Sequence, residues 1–382
     1  MKRLGCFALS ILLALSLTVM PAAAEEPEFA GKSWCLIDAA TGTLLRAYNE
    51  HEPLAPASVT KVMTLLLIME AIDSGAIGWN DTVTASEAAA AKGGSQVYLK
   101  VGETMTVEEM VKSIAVSSAN DCACAMAEKI AGSEAAFVEK MNARAKELGM
   151  NDTHFVNCTG LDDGPNASEH RTSAWDIALM SRELLAKHPD IKKYTTIWMD
   201  TVRDGAFGLS NTNKLVRFYD GCTGLKTGFT SSAGYCLSAS AQRDGLELIA
   251  VVMGAQTSTD RFNTCRGLLD WGFATFALYT PEIPELSPIP VKLGESDTVT
   301  PVPQATPQLL VEKGDLPKLT TELTLEPGLS APVEQGQTVG ELLILRDGEE
   351  LARIPLVTAT AVERLGFADL FRLLLGKIAM GS

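Results

Sequence analysis

Three short groups of residues carry the chemistry this sequence offers. In Ser58-Val59-Thr60-Lys61 a hydroxyl and an amine lie three residues apart. On a helix that spacing puts both on one face, about one turn from each other. A serine at a helix N-terminus sits in a positive field beside unpaired backbone N–H groups, which favours charge developing on an oxygen. A lysine on a helix that is apolar all round is desolvated, which lowers its pKa toward that of a usable base. Ser118-Ala119-Asn120 adds a hydroxyl and an amide that face the same way in an extended turn. That pair suits proton relay and the holding of a substrate carbonyl. Lys226-Thr227-Gly228 adds a cation and a hydroxyl suited to a carboxylate, and a glycine that lets ligand backbone come close. Taken singly, each has a plainer reading: an N-cap serine with a surface lysine, a helix cap, and a solvated strand lysine beside a turn.

The flanking sequence supplies the elements that position them. Val62 to Ile68 is apolar on nearly every face, so the helix opened near residue 57 is expected to be buried. It stops near Asp73-Ser74-Gly75. Thr106-Val107-Glu108-Glu109 is a capping box that opens a helix running to about Ala115. A further helix begins near Asp121, so Ser118 and Asn120 fall in the connector between two helices. A longer helix spans roughly Glu134 to Leu148. Ser33–Asp38 and Thr43–Ala47 read as strands, as do Tyr235–Ser240 and Leu246–Met253, the latter two joined by a hairpin at Gln242–Gly245. Lys226 lies ahead of that hairpin, on an expected edge strand. Strands at both ends with helices between them predict one mixed domain on an antiparallel sheet, closed by a helix with Trp271 and Phe273.

In this order the three motifs form the set S-x-x-K, S-x-N and K-T-G. The sequence resembles the low-molecular-mass penicillin-binding proteins that are D-alanyl-D-alanine carboxypeptidases. The resemblance extends over Pro56–Lys61, Gly94-Ser95, Leu99–Glu103, Ser118–Asp121, Thr153–Phe155, Thr159–Leu161 and Gly224–Gly228. The middle motif departs from the usual Ser-Asp-Asn in carrying Ala119. The resemblance implies a β-lactamase/transpeptidase-like α+β domain with an antiparallel sheet and a helical subdomain. It implies Ser58 as acylated nucleophile and Lys61 as its base, with Ser118 and Asn120 assisting proton transfer and substrate orientation. Lys226 and Thr227 would engage the substrate carboxylate, and the N–H groups of Ser58 and Phe229 would form an oxyanion hole. Arg261 matches a family arginine near the carboxylate. The implied substrate is the peptidoglycan stem peptide and the implied inhibitors are β-lactams, with no metal or cofactor. A β-lactamase, a transpeptidase or endopeptidase would use the same residues; a wall-binding protein without activity is the rival of another class.

The four histidines, His51, His154, His170 and His188, are too dispersed for a metal site; His154 reads as structural and the others as lying in polar surroundings. Asp162, Asp163 and Glu169 belong to a loop expected to approach the cleft. With 47 Asp and Glu against 32 Lys and Arg, the formal net charge of −15 argues against nucleic acid as a partner.

Residues 1–24 carry Lys2 and Arg3, an apolar run and Ala22-Ala23-Ala24, the pattern of a signal peptide, so the protein is expected to be exported. The carboxypeptidase domain is then expected over 25–280 and a small β-sandwich over 281–360, after a stretch punctuated by Pro281, Pro284 and Pro288. Residues 361–382 read as an amphipathic helix with Phe367, Leu370, Phe371, Leu374 and Ile378 on one stripe, an in-plane anchor on the outer face of the cytoplasmic membrane. The seven cysteines that remain after cleavage match no disulfide framework and read as small buried residues.

Overall fold

A computed structural model describes residues 29–162, 164–305, 308–369 and 371. The expected signal segment, Asp163 and most of the expected terminal helix lie outside the described residues.

The first domain is organised on an antiparallel sheet of β1 (Ser33–Asp38), β2 (Leu44–Tyr48), β3 (Cys222–Thr230), β4 (Gly234–Arg243) and β5 (Leu246–Ala255). Their order is β2-β1-β5-β4-β3, which leaves β3 at one edge. Alternation along the strands divides the core in two, because successive side chains leave opposite faces. Cys35, Ile37, Ile249, Val251 and Met253 point into the helical layer. Trp34, Leu36, Leu248, Ala250 and Val252 point to the other face, where the helix over Ser258–Thr275 covers them. The β4–β5 hairpin is tighter than the sequence suggests. The strands run through Arg243 and resume at Leu246, and Asp244 and Gly245 turn the chain at φ 49° and 84°. Two successive positive φ values are the requirement of a two-residue type I′ turn.

Helix α1 (Lys61–Asp73) is buried from Lys61 to Met69, as a run apolar at all but Lys61 and Thr64 requires. Around it stand α2 (Val107–Ser117), α3 (Asn120–Ala131), α4 (Glu134–Glu147) and α5 (Ala174–Lys187). Thr106 and Glu109 cap α2 reciprocally, as the capping box predicts. Helix α5 escapes a periodicity reading because its buried face carries Asp176 and Ser181. The hydroxyl of Ser181 pairs with that of Ser238 at 2.8 Å across the core, and Asp176 Oδ2 accepts from the Asp152 N–H and from Thr153 Oγ1.

A second, all-β unit follows. The strands Ile289–Lys292, Thr298–Val299 and Leu329–Ser330 form one small sheet, and Pro301–Pro303, Leu319–Leu325, Thr338–Arg346 and Glu349–Thr358 form another. Ile289, Val291, Val299, Val333 and Val339 share its core. The junction is not a bare linker, since Phe276–Tyr279 pairs antiparallel with Leu309–Glu312. The final helix also starts later than residue 361. Val362 bridges Val333 and Arg364 bridges Gly294, so backbone pairing holds this stretch extended and helix begins only at Phe367. Leu370, Leu374 and Ile378 lie outside the described residues.

All seven described cysteines are free thiols, six of them buried. Burial pushes the thiols of Cys222 and Cys236 up to about 11, away from reactivity.

Candidate active site

A 3₁₀ turn over Ala57–Thr60 leads directly into α1, so Ser58 stands at the entrance of the buried helix. Lys61 Nζ lies 2.9 Å from Ser58 Oγ and donates to the carbonyl of Thr159 at 2.7 Å. Its side chain is fully buried. Desolvation lowers its pKa to about 7, partly offset by the negative charge of Asp121. A neutral amine held by the Thr159 carbonyl keeps its lone pair for the serine proton. Segment 158–160 is itself tied down, because Thr64 Oγ1 on α1 donates to the Cys158 carbonyl at 2.6 Å.

Strand β3 brings Lys226, Thr227, Gly228 and Phe229 against this turn. A Cβ on Gly228 would stand 2.7 Å from the Pro56 oxygen and 3.0 Å from the Val59 nitrogen, so only glycine permits the approach. Being the sheet edge, β3 keeps its outer row of backbone groups free of ladder partners on that side. Lys226 is 1% exposed, and its Nζ donates to the Thr227 carbonyl at 2.9 Å. Burial, with the positive charges of Lys61 and Arg261 nearby, lowers its pKa well below the ordinary lysine value. Thr227 Oγ1 donates to Thr212 Oγ1 at 2.7 Å, and the Thr212 N–H donates to the Val116 carbonyl at the end of α2. Thr212 thus links the strand to the helix that ends at Ser118.

Ser118 terminates α2 in the left-handed conformation, at φ 62°. Asn120 opens α3, its backbone N–H donating to the Ser95 carbonyl at 2.7 Å and its Nδ2 to the Gly93 carbonyl at 2.8 Å. Ser118 Oγ and Asn120 Oδ1 are buried yet have no hydrogen-bond partner among the described residues. Two unpartnered buried polar atoms on one connector are what a substrate-binding surface requires, since burial without a partner is otherwise costly. Ala119 between them is fully buried in the apolar core of the helical layer. An aspartate there would carry its charge into that core, which explains the alanine.

Arg261 is buried beside β3 and β4. Its Nη1 donates to the Gly228 carbonyl at 2.9 Å, and its guanidinium lies over the Tyr235 ring. Phe229 is half exposed, with its ring packed on Tyr235 at 4.3 Å between centroids. Asp162 reaches the β3–β4 turn, where it accepts from Ser232 Oγ at 2.6 Å; Glu169 is exposed.

A family profile described as D-alanyl-D-alanine carboxypeptidase matches residues 20–257, and one described as penicillin-binding protein 5, C-terminal domain, matches residues 278–364. The chain belongs to the D-alanyl-D-alanine carboxypeptidase family. This carboxypeptidase is 43% identical over 352 residues to D-alanyl-D-alanine carboxypeptidase DacF of Bacillus subtilis, covering 90% of this chain and 89% of that one. Its fold is similar to penicillin-binding protein 5 of Haemophilus influenzae, with a TM-score of 0.72, 31% identity and coverage of 88% and 99%. It is also similar to the ampicillin-bound penicillin-binding protein D2 of Listeria monocytogenes, with a TM-score of 0.59, 30% identity and coverage of 65% and 99%.

Sequence reasoning missed three parts of the carboxypeptidase site. The Thr159 carbonyl that holds Lys61 is a backbone group, which no side-chain pattern reveals. Asp121 receives the N–H groups of Val97, Leu99 and Cys122 and is fully buried. His170, read as lying in polar surroundings, is 3% exposed and bonded to Thr60. Its environment follows from a contact 110 residues away in sequence, which local composition does not show.

Proposed function

We propose that Ser58 attacks the carbonyl between the two terminal D-alanines of a peptidoglycan stem pentapeptide, releasing D-alanine and leaving an acyl-enzyme that water then hydrolyses. The observation that carries this reading is the 2.9 Å separation of Lys61 Nζ and Ser58 Oγ, with the lysine buried and its pKa brought to about 7. An amine with that pKa is half unprotonated near neutrality, so it takes the hydroxyl proton as the C–O bond forms. The same proton passes to the departing amine, with Ser118 as relay. Lys61 next accepts a proton from the attacking water and returns it to Ser58 Oγ as the acyl–oxygen bond breaks.

The other residues serve recognition and charge stabilisation. Lys226 and Thr227 receive the terminal carboxylate, and Gly228 admits the peptide backbone alongside β3. Asn120 holds a backbone amide of the stem. The N–H groups of Ser58 and Phe229 receive the oxyanion, a kind of contact worth about 3 kcal/mol per donor in related acyl transfers. Arg261 stays in the binding set by fixing the Gly228 carbonyl. β-Lactams, whose ring carbonyl and carboxylate present the same two features, acylate Ser58 and leave slowly. The ampicillin-bound form of the Listeria relative supports that extension.

The chain works, in this reading, at the outer face of the cytoplasmic membrane, exported by residues 1–24 and held peripherally by the terminal helix beyond the β unit. The catalytic domain spans 25–280. Among the described residues no helix is long and apolar enough to cross a membrane. Intact-protein mass after incubation with penicillin, together with D-alanine release from a pentapeptide, tests the reaction. A single adduct on the wild type, none on Ser58→Ala, and D-alanine release outpacing nitrocefin turnover are expected. An adduct that survives Ser58→Ala ends the proposal.

A further inference from the structure

His170 stands outside the three motifs, yet its ring is buried against the Ser58 turn. Both ring nitrogens are committed. Nδ1 lies 3.0 Å from the backbone nitrogen of Val156, whose N–H donates to it. Nδ1 is therefore the bare nitrogen, and the ring proton sits on Nε2. Nε2 lies 2.7 Å from Thr60 Oγ1, so it donates there. The threonine hydroxyl is left to donate onward to the Ala57 carbonyl at 2.8 Å. Every donor in this chain has one acceptor, so its direction is fixed: Val156 to His170 to Thr60 to Ala57.

The two ends of the chain are the two halves of the catalytic pair. Ala57 immediately precedes Ser58 and holds φ at 48°, a left-handed setting that an alanine keeps only against steric resistance. Val156 begins the segment whose Thr159 carbonyl receives Lys61 Nζ. One imidazole thus joins the turn that aims the nucleophile to the loop that holds the base. Ordinary packing of a core histidine does not require its hydrogen bonds to end on those two places.

We propose that His170, acting through Thr60, is a positioning residue for acylation, setting the Ser58 turn against the Lys61-holding loop. The inference rests on the reading of Ser58 as the acylated nucleophile. Because the chain is made of hydrogen bonds and not of charge, a side chain that accepts from Val156 and donates to Thr60 preserves it. Glutamine has one acceptor and one donor end and meets that need; alanine does not.

The test uses the full chain and a fluorescent penicillin, with the acylation rate constant measured by stopped flow and non-covalent affinity measured separately. His170→Ala and Thr60→Val are each expected to slow acylation about tenfold or more while changing initial affinity little, since small misplacements of reacting groups cost up to about a hundredfold. The double variant should be no slower than the slower single one, because both cut the same chain. His170→Gln should stay within about threefold of wild type by the same argument. Wild-type rates in His170→Ala, multiplying effects in the double variant, or a His170→Gln as slow as the alanine overturn the inference. Should His170→Ala fail to fold, Thr60→Val alone and combined with His170→Gln decides the matter. A wild-type chain that takes no penicillin would instead sink the Ser58 reading itself.

Discussion

The carbonyl of Ala57 occupies the space that a side chain on Gly160 would need. A Cβ there would stand 1.8 Å from the Ala57 oxygen and 2.7 Å from Thr60 Oγ1. Gly160 also holds φ at 81°, which an L side chain resists. The Ser58 turn and the loop that holds Lys61 are therefore in backbone contact, with no room to adjust.

Gly160→Ala should separate these two backbones. Strain in the left-handed region and overpacking together amount to roughly 3 kcal/mol or more. The expected result is a lower thermal midpoint and acylation by penicillin slowed at least about a hundredfold, because the serine and its base no longer meet. Gly164→Ala in the same loop, where a Cβ meets nothing within 4 Å, should leave both nearly unchanged. Equal behaviour of the two variants would remove the argument.

In the proposed reaction Lys61 sets the acid limb of activity. Burial favours its neutral form and brings the pKa to about 7, and only that form takes a proton from Ser58. Acylation should rise with pH through about 7 and then level off, with protonation of Lys61 switching it off on the acid side. Lys61→Arg keeps a charge at every accessible pH and should cost about a hundred- to ten-thousandfold with no acid limb left. A rate independent of pH between 5 and 9 in the wild type would contradict the assignment (roughly the window an amine of this kind spans).

Lys226 should control affinity rather than the chemical step. Burial and the charges of Lys61 and Arg261 lower its pKa, whereas a substrate carboxylate draws the proton back. KM is expected to rise on the alkaline side at a pH below the ordinary lysine range. Lys226→Gln should raise KM about ten- to a hundredfold and abolish that alkaline limb. A substrate ending in D-alanine amide, which lacks the charge, should respond little to the substitution; an equal response would place Lys226 elsewhere in the reaction.

What could be read from the chain before its fold was known follows the range of the interactions. The Ser58–Lys61 pair was legible because three residues on a helix fix their relative placement, and α1 was legible because Val62–Ile68 is apolar at every position but Thr64. β1 and β5 were likewise legible, as short β-prone runs next to turn residues. Contacts closed by distant chain were not legible. Thr159 reaches Lys61 with a carbonyl, His170 reaches Thr60 across 110 residues, and Asp176 and Ser181 hide the helical period of α5. The late start of the final helix belongs to the same class, since the pairing of Val362 with Val333 overrides a sequence that would accept helix.

His170 should also leave a mark on stability. Its ring is neutral and buried, and desolvation, with the charges of His154 and Lys61 nearby, lowers its pKa from 6.5 to about 4. The unfolded chain therefore takes up this proton first as the pH falls. Folding is unaffected by His170 above about 6.5, loses stability progressively below it, and loses no more once the pH passes the folded value near 4. By pH 4.5 the loss assignable to this one ring is about 2–3 kcal/mol. Carboxylates titrate in the same window, so the measurement is a difference. Urea unfolding of wild type and His170→Gln at pH 7.5 and 4.5 should show the glutamine variant losing less stability on acidification by that amount. Parallel losses in the two proteins would mean that the imidazole is protonated in the fold, and that the hydrogen bond from Val156 does not hold it neutral.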